Sequence, residues 1–272
     1  MLIQRVSLLN KNGKIFQNFD KKGVKKFTSS NIFPMVIESY IWNKIEQLKS
    51  AEKYKDQIKR VFYTNIVDKK AKNMIQDDVR RLELIQKFNY GQRVLEVGCS
   101  DGSVSIKIAE SPKVKKVIGI DVRQSAINDG KKLIKDLLKK KVISQTTAKK
   151  IKLVKSRIED FSKSYGKFNS VCAYEIFEHL APQDLMPSFK HLCQFIKKDG
   201  KLFVSVPNRF PHPKYDRIKR SRWQWFDHRN FFSQLSLAIL LKGFFKSVKF
   251  YPLYKNEKVE DSLYLIAECK KS

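Results

Sequence analysis

The chain has no stretch of about 18 or more apolar residues, the minimum for a hydrocarbon-spanning helix, so a membrane-spanning helix is excluded. Its start, Met1-Leu2-Ile3-Gln4-Arg5, passes quickly into polar Asn and Lys with no apolar run ending in small residues, and no secretory leader is expected. Cysteine is scarce. The four residues, Cys99, Cys172, Cys193 and Cys269, are scattered without a CxxC pair, which excludes a zinc knuckle or a disulfide framework. Cys99, Cys172 and Cys269 lie in apolar, strand-like runs and read as small buried hydrophobes, in keeping with a reducing, cytoplasmic compartment. With 10 Gly and 8 Pro among 272 residues, collagen-like and linker architectures are also excluded. Acid is under-represented: 27 Asp and Glu against 56 Lys and Arg leave a formal charge of +29. That excess invites a nucleic-acid reading. Yet 42% of the chain is apolar, including 19 Phe, 10 Tyr and 3 Trp, enough for a packed core and far from the composition of a disordered polycation.

Residues 1–20 read as a hairpin, because Leu2–Leu9 and Lys14–Phe19 flank Asn10-Lys11-Asn12-Gly13 and Asn-Gly favours a tight turn. Residues 35–90 read mainly as helices, with Ile66, Met74, Val79, Leu82, Leu84 and Ile85 at roughly helical spacing and Gly91 as the stop. From Arg93 the pattern becomes strand, turn, helix, repeated. Strands are expected at Val94–Val97, Val117–Ile120, Ile151–Val154, Asn169–Ala173 and Lys201–Val206, with late strands at Val248–Tyr251 and Leu263–Glu268. Helices are expected at Val104–Ala109, Gln124–Leu138, Asp184–Ile196 and Ser233–Leu241. Such alternation predicts an α/β fold, a doubly wound and mostly parallel sheet whose ligands bind at the carboxyl ends of the strands. The expected organisation is an N-terminal hairpin and helical cap over 1–90 and a second domain over 91–272, carrying an insertion at 209–232.

The first chemical constellation is Val94-Leu95-Glu96-Val97-Gly98-Cys99-Ser100-Asp101-Gly102, a strand that turns on glycine and enters a helix. Glycine admits positive φ and close approach to a ligand, and the helix start offers free N–H groups. Asp121 closes the next strand, where a carboxylate can accept both hydroxyls of a ribose. A bare strand–turn–helix junction with Asp121 as a cap is the plain alternative. A dinucleotide fold wants G-x-G-x-x-G, a glycine series that Ser100, Ser103 and Ser105 do not supply.

These residues resemble the first motif of class I S-adenosylmethionine-dependent methyltransferases, here standing as Glu96, Gly98, Ser100 and Gly102, with serine in place of the middle glycine. Four further segments fit the same family. Ser156–Phe161 looks like its adenine-recognition segment, with Arg157 where Asp is frequent. Phe168–Leu180 is similar to the strand-four motif of the ubiquinone-biosynthesis-type O-methyltransferases. Lys198–Asn208 resembles their fifth-strand hairpin, and Asp227–Ser233 the motif leading into their penultimate helix. The resemblance covers about two thirds of the chain. It implies a Rossmann-like sheet of seven strands in the order 3-2-1-4-5-7-6, and S-adenosyl-L-methionine as cofactor. The cofactor would be held by Glu96, Gly98, Cys99, Ser100, Gly102, Asp121, Val122, Ile158, Glu159 and Tyr174.

The sulfonium methyl arrives activated, so the protein mainly aligns an acceptor and, for a hydroxyl or protonated nitrogen, supplies a base. The candidates are His179 with Glu175, and His228 in a late loop, whereas His191 reads as a surface residue. Glu175-x-x-Glu178-His179 with a downstream histidine is also similar to the metal site of small-RNA 3′-terminal 2′-O-methyltransferases, but the same Glu-x-x-Glu-His pattern occurs in metal-free relatives, and a metal-free site is expected. Two basic stretches read differently. Lys131–Lys152, with nine lysines, reads as a solvated face. The 209–232 insertion, with Arg209, His212, Arg217, Arg220 and Trp223, is expected to hang over the acceptor and bind it. The expected reaction is methyl transfer to O or N of an anionic small-molecule or carrier-linked acceptor. RNA methylation, including metal-dependent ribose 2′-O-methylation, and a non-catalytic cofactor-binding protein are the alternatives.

Overall fold

The structure is a computed structural model that describes residues 74–210 and 228–271. The hairpin expected at 1–20, most of the helical cap, and His212, Arg217, Arg220 and Trp223 lie outside the described residues.

Helix α1 (Met74–Gln86) precedes β1 (Arg93–Val97), α2 (Ser103–Ala109), β2 (Lys116–Asp121), α3 (Gln124–Lys139), α4 (Gln145–Lys149) and β3 (Ile151–Lys155). Then come β4 (Phe168–Tyr174), α5 (Pro182–Gln194), β5 (Ile196–Pro207), α6 (Gln234–Lys242), β6 (Ser247–Tyr251) and β7 (Tyr264–Lys270). The seven strands form one sheet in the order β3-β2-β1-β4-β5-β7-β6, as the resemblance implied. The first five run parallel, and β7 pairs antiparallel with both β5 and β6.

Helices cover both faces, so the central strands are buried on both sides and read as continuous apolar runs. On one face Leu95, Val97, Ile118, Ile120, Val171 and Ala173 pack with Phe189 of α5 and Leu237 of α6. On the other, Val94, Val117, Cys172 and Phe203 pack with Ile85 of α1 and Ile108 of α2. Phe88, just past α1, stacks on Phe203 with ring centroids 4.8 Å apart, which docks the end of α1 on β5.

The structure departs from the sequence reading in two elements. Helix α4 was not foreseen in the lysine-rich stretch; it starts because the Ser144 hydroxyl accepts the Thr147 N–H at 3.0 Å, an N-cap too short for periodicity to register. Helix α5 stops at Gln194 rather than Ile196, because the Phe195 carbonyl takes the Phe168 N–H at 2.8 Å and Ile196 already pairs with Phe168. The register then jumps from Ile196 to Lys201, so the Asp199-Gly200 turn is absorbed as an irregularity within β5.

One packing detail bears directly on the site. A Cβ on Gly130, inside α3, would lie 2.8 Å from the Asp101 carbonyl oxygen and 2.5 Å from Leu153 Cδ1. Helix propensity alone favours alanine there by about 1 kcal/mol. The clash is with backbone, which cannot swing away, so strain outweighs propensity: Gly130→Ala is expected to lower the unfolding free energy by about 1–3 kcal/mol in a denaturant titration.

Candidate functional site: the carboxyl edge of the sheet

The chain leaving β1 makes a left-handed turn. Gly98, Ser100 and Gly102 have φ of 67°, 48° and 73°. Gly98 is obligatory for a second reason, since a Cβ there would sit 1.7 Å from Ile176 Cδ1, in the turn after β4. Ser100 occupies the middle-glycine position at a φ that costs a non-glycine residue about 1 kcal/mol or more. Its N–H donates to Asp121 Oδ2 at 2.9 Å, which ties the turn to the end of β2. Cys99, buried, donates its N–H to the Ile120 carbonyl at 2.9 Å, and Gly102 donates to the Cys99 carbonyl at 2.8 Å before α2 begins.

Asp121 is buried and heavily used. Its Oδ1 accepts the Arg123 N–H at 2.9 Å and the Arg123 Nε–H at 3.2 Å, and the Arg123 guanidinium also donates to Ser100 Oγ at 3.1 Å. Of about four acceptor positions on a carboxylate, three are thus engaged. A ribose diol needs two, so it would displace the Arg123 side chain from Asp121. Beneath the turn, Glu96 is buried and accepts a hydrogen bond from the Ser105 hydroxyl of α2. Burial, reinforced by the neighbouring Asp101 and Asp121 carboxylates, pushes its carboxyl from the ordinary 4.5 up to about 8, against the Ser105 bond.

A second constellation follows β4. Glu175 takes φ 55° and donates its N–H to the Ser205 carbonyl at 2.8 Å. Its Oε1 accepts the Ser205 hydroxyl at 2.8 Å and lies 3.6 Å from Arg81 Nη1. Arg81, on α1, is buried, also donates to Ser205 Oγ at 3.3 Å, and lies over the Tyr264 ring at 4.8 Å. Sequence reasoning missed Arg81, which looked like one more helix charge; the signal available was its place on the apolar side of α1, four residues before fully buried Ile85.

Three residues further on, Glu178, His179 and His228 converge, with one ligand atom from each lying within 4.8 Å of the others. Glu178 and His228 are buried, His179 partly so. The two imidazoles meet edge to face, centroids 4.8 Å apart. His228 is brought there by its neighbours: the Arg229 and Asn230 N–H groups donate to the Glu178 carbonyl at 2.5 and 3.0 Å. Both ends of the 211–227 segment are anchored close by, since Arg209 donates its N–H to the Phe232 carbonyl at 2.8 Å. The sequence pattern grouped Glu175 with Glu178, His179 and a downstream histidine. The structure brings together Glu178, His179 and His228, and turns Glu175 toward Ser205 and Arg81.

The remaining residues singled out from sequence are spread more widely. Val122 is exposed beside Asp121. Ile158 is buried in the core. Glu159 accepts hydrogen bonds from Ser188 and Arg157; burial raises its carboxyl, but these bonds and one from its own backbone outweigh that and hold it below the ordinary value. The Tyr174 side chain lies in the core on the α1 face, with its hydroxyl 2.9 Å from that of Tyr90, which donates on to the Ile85 carbonyl. Arg209 lies over the ring of exposed Phe210 at 5.0 Å.

A family model described as a methyltransferase domain matches residues 67–244, and the match spans both constellations. The chain belongs to this methyltransferase family. It is thus an enzyme of the class I type inferred from its motifs, and the family's cofactor is S-adenosylmethionine. Among curated proteins, the chain is 24% identical over 113 residues to an uncharacterized protein, RP028, of Rickettsia prowazekii (strain Madrid E); the match spans 42% of each, less than half of that relative. Solved structures share the fold. The methyltransferase domain of bacterial CtHen1 is 19% identical with a TM-score of 0.55, covering 72% of this chain and 99% of that one. The small RNA methyltransferase HEN1 is 21% identical with a TM-score of 0.59, over 72% of this chain and 25% of that one. Magnesium protoporphyrin IX methyltransferase from Synechocystis PCC 6803, with bound cofactor, is 15% identical with a TM-score of 0.55, over 80% and 90%.

The residues fit S-adenosylmethionine: the left-handed 98–102 turn presents main chain at the carboxyl edge of the sheet, and Asp121 ends β2 beside it with a carboxylate suited to a ribose diol. S-adenosylhomocysteine is therefore expected to raise the melting temperature of the wild type and to do nothing for Asp121→Ala. Arg123→Ala removes a half-exposed competitor for Asp121 worth up to about 1 kcal/mol, so calorimetric S-adenosylhomocysteine affinity is expected to tighten by up to about five-fold. Glu96 sets a pH dependence. Its folded carboxyl keeps a proton that the unfolded chain releases between 4.5 and about 8, so its contribution is complete at low pH and is lost as pH rises through about 8. Glu96→Gln, neutral throughout, is expected to flatten the fall in unfolding free energy across that window.

Proposed function

We propose that this methyltransferase transfers the methyl group to a hydroxyl oxygen of an anionic acceptor, at a site where Glu178, His179 and His228 hold a divalent cation. The observation that carries the reading is the convergence of one carboxylate and two imidazoles within 4.8 Å at the carboxyl edge of the sheet, beside the cofactor turn. One carboxylate and two imidazoles suit a divalent first-row ion such as Mn²⁺, Co²⁺ or Zn²⁺. Donors at about 2.1 Å from a shared ion stand no more than about 4.2 Å apart, so the site needs only small side-chain adjustments. This reading takes up the alternative raised from sequence, a cation site built on Glu178, His179 and a downstream histidine, with His228 as that histidine.

When bound, such a cation lowers the pKa of a coordinated hydroxyl and orients it. The rest falls to the chain. Gly98–Gly102 and Asp121 fix the cofactor. Arg81 and Ser205 hold Glu175 and with it the start of the turn that carries Glu178 and His179. The acceptor oxygen attacks the methyl carbon in line, a C–O bond forms, the C–S bond breaks with its electron pair staying on sulfur, and S-adenosylhomocysteine leaves. The hydroxyl proton leaves to solvent on the side where His179 has 31% of its side chain exposed. Arg209, with Arg217 and Arg220, supplies the preference for an anionic acceptor, small or carrier-linked. Residues 91–272 form the catalytic domain in this reading and 1–90 its cap. A cytoplasmic setting is supported by four buried cysteines, all free.

RNA with a free 3′-terminal ribose is the second reading. It is favoured by the net charge of +29 and by the vicinal hydroxyls that a cation would chelate. The test is methyl transfer from labelled cofactor to small anionic hydroxyl compounds and, in parallel, to single-stranded RNA. Transfer is expected to stop with EDTA and return with Mn²⁺, and Glu178→Gln is expected to slow it at least about 100-fold while leaving S-adenosylhomocysteine affinity within two-fold. Chelator-insensitive transfer removes the cation from the reading. Transfer to RNA that falls steeply with salt and protects its 3′ end from periodate establishes the second reading.

A further inference from the structure

The three donors come from two pieces of chain far apart in sequence, and something must hold these in register. The turn after β4 carries Glu178 and His179; the segment entering α6 carries His228. Two main-chain bonds join them at the Glu178 carbonyl, from the N–H groups of Arg229 and Asn230. The Asn230 side chain adds a different kind of restraint. Its Nδ2 donates to the Phe177 carbonyl and to the Leu180 carbonyl, both at 2.8 Å. These two carbonyls bracket Glu178-His179 on either side. Asn230 is 2% exposed and its bond to Phe177 is buried, so losing it leaves a buried carbonyl unpaired; the bond to Leu180 is partly buried.

We propose that Asn230 is the positioning residue of the cluster: its amide group clamps the Phe177–Leu180 turn so that Glu178 and His179 face His228 at ligand distance. The chemistry is specific to an amide. An NH₂ group has two protons and no charge, which matches two inward carbonyls. The isosteric carboxylate of aspartate has none to give and would face both carbonyls with negative charge. Asn230 touches neither cofactor nor acceptor in this role. It acts through the turn, as groups behind metal ligands do, where loss commonly costs about 10–100-fold in metal affinity.

The proposal rests on the cation-site reading, and the test separates the two. On the full chain, Mn²⁺ binding is measured by electron paramagnetic resonance titration, S-adenosylhomocysteine binding by calorimetry, and amide hydrogen exchange at 177–180 and 228–232 by mass spectrometry. In Asn230→Asp and Asn230→Ala, Mn²⁺ affinity is expected to fall at least ten-fold. S-adenosylhomocysteine affinity stays within two-fold, and exchange of the Arg229 and Asn230 N–H groups quickens at least ten-fold. Unchanged Mn²⁺ affinity or unchanged exchange in the folded variants overturns the proposal. Should the wild type take up no Mn²⁺, the cation reading falls by itself; the clamp then stands if exchange quickens in Asn230→Asp and falls if it does not. If neither variant folds, Mn²⁺ added to the wild type must slow exchange at 177–180 and 228–232 together, and slowing of one segment without the other overturns the clamp.

Discussion

The absence of room for a side chain in the turn after β1 is the constraint on which the carboxyl edge of the sheet depends. Gly98 has Ile176 against it, Gly102 has Leu153, and Gly130 of α3 lies against the backbone of Asp101. Three neighbours, the turn after β4, the strand β3 and the helix α3, thus press on one loop from three sides. The loop can be this tight because its residues take positive φ, and it stays in place because its amides are used: Ser100 donates to Asp121 and Cys99 to Ile120. A ligand that binds to this loop meets a backbone already fixed by the core, so little ordering is left to oppose binding.

The same packing joins the turn after β1 to the turn after β4, which carries Glu178 and His179. Ile176, which closes over Gly98, lies two residues from Glu178 and three from His179. The Ile176 carbonyl accepts the His179 N–H at 3.0 Å and closes the turn. Arg81 anchors the start of this turn through Glu175, and Asn230 brackets its end. The β4 turn is therefore held at both ends by side chains from distant parts of the chain, one on α1 and one just before α6. This makes the spacing between the turn after β1 and the Glu178, His179 and His228 cluster a property of the whole domain.

Much of this was legible in the sequence, and the reasons are physical. Fully buried parallel strands must be continuous apolar runs, so β1, β2 and β4 stood out. A left-handed turn demands glycine, so Gly98 and Gly102 stood out, and a carboxylate at the end of the second strand marked Asp121. Other parts were hidden because their signal is spatial. Arg81 and Ser205 are 124 positions apart, and no local pattern links one helix arginine to one strand serine. Tyr174 sat in a recognisable motif, yet strand alternation sends its side chain to the α1 face and its hydroxyl to Tyr90. His228 was visible as a candidate base; its meeting with Glu178 depends on main-chain bonds that any residue types at 229 and 230 could make in part.

Where the chain leaves β5, Asn208 bridges to Phe232, and Asn208 is itself held by the carbonyls of Glu260 and Ser262 at 2.8 Å. The two ends of the intervening stretch thus meet at a fixed base on the domain. For a stretch closed in this way, each doubling of length costs only about 0.6 kcal/mol of loop entropy. A change in its length therefore adds little to the cost of closing it, and the sheet keeps its own hydrogen bonds.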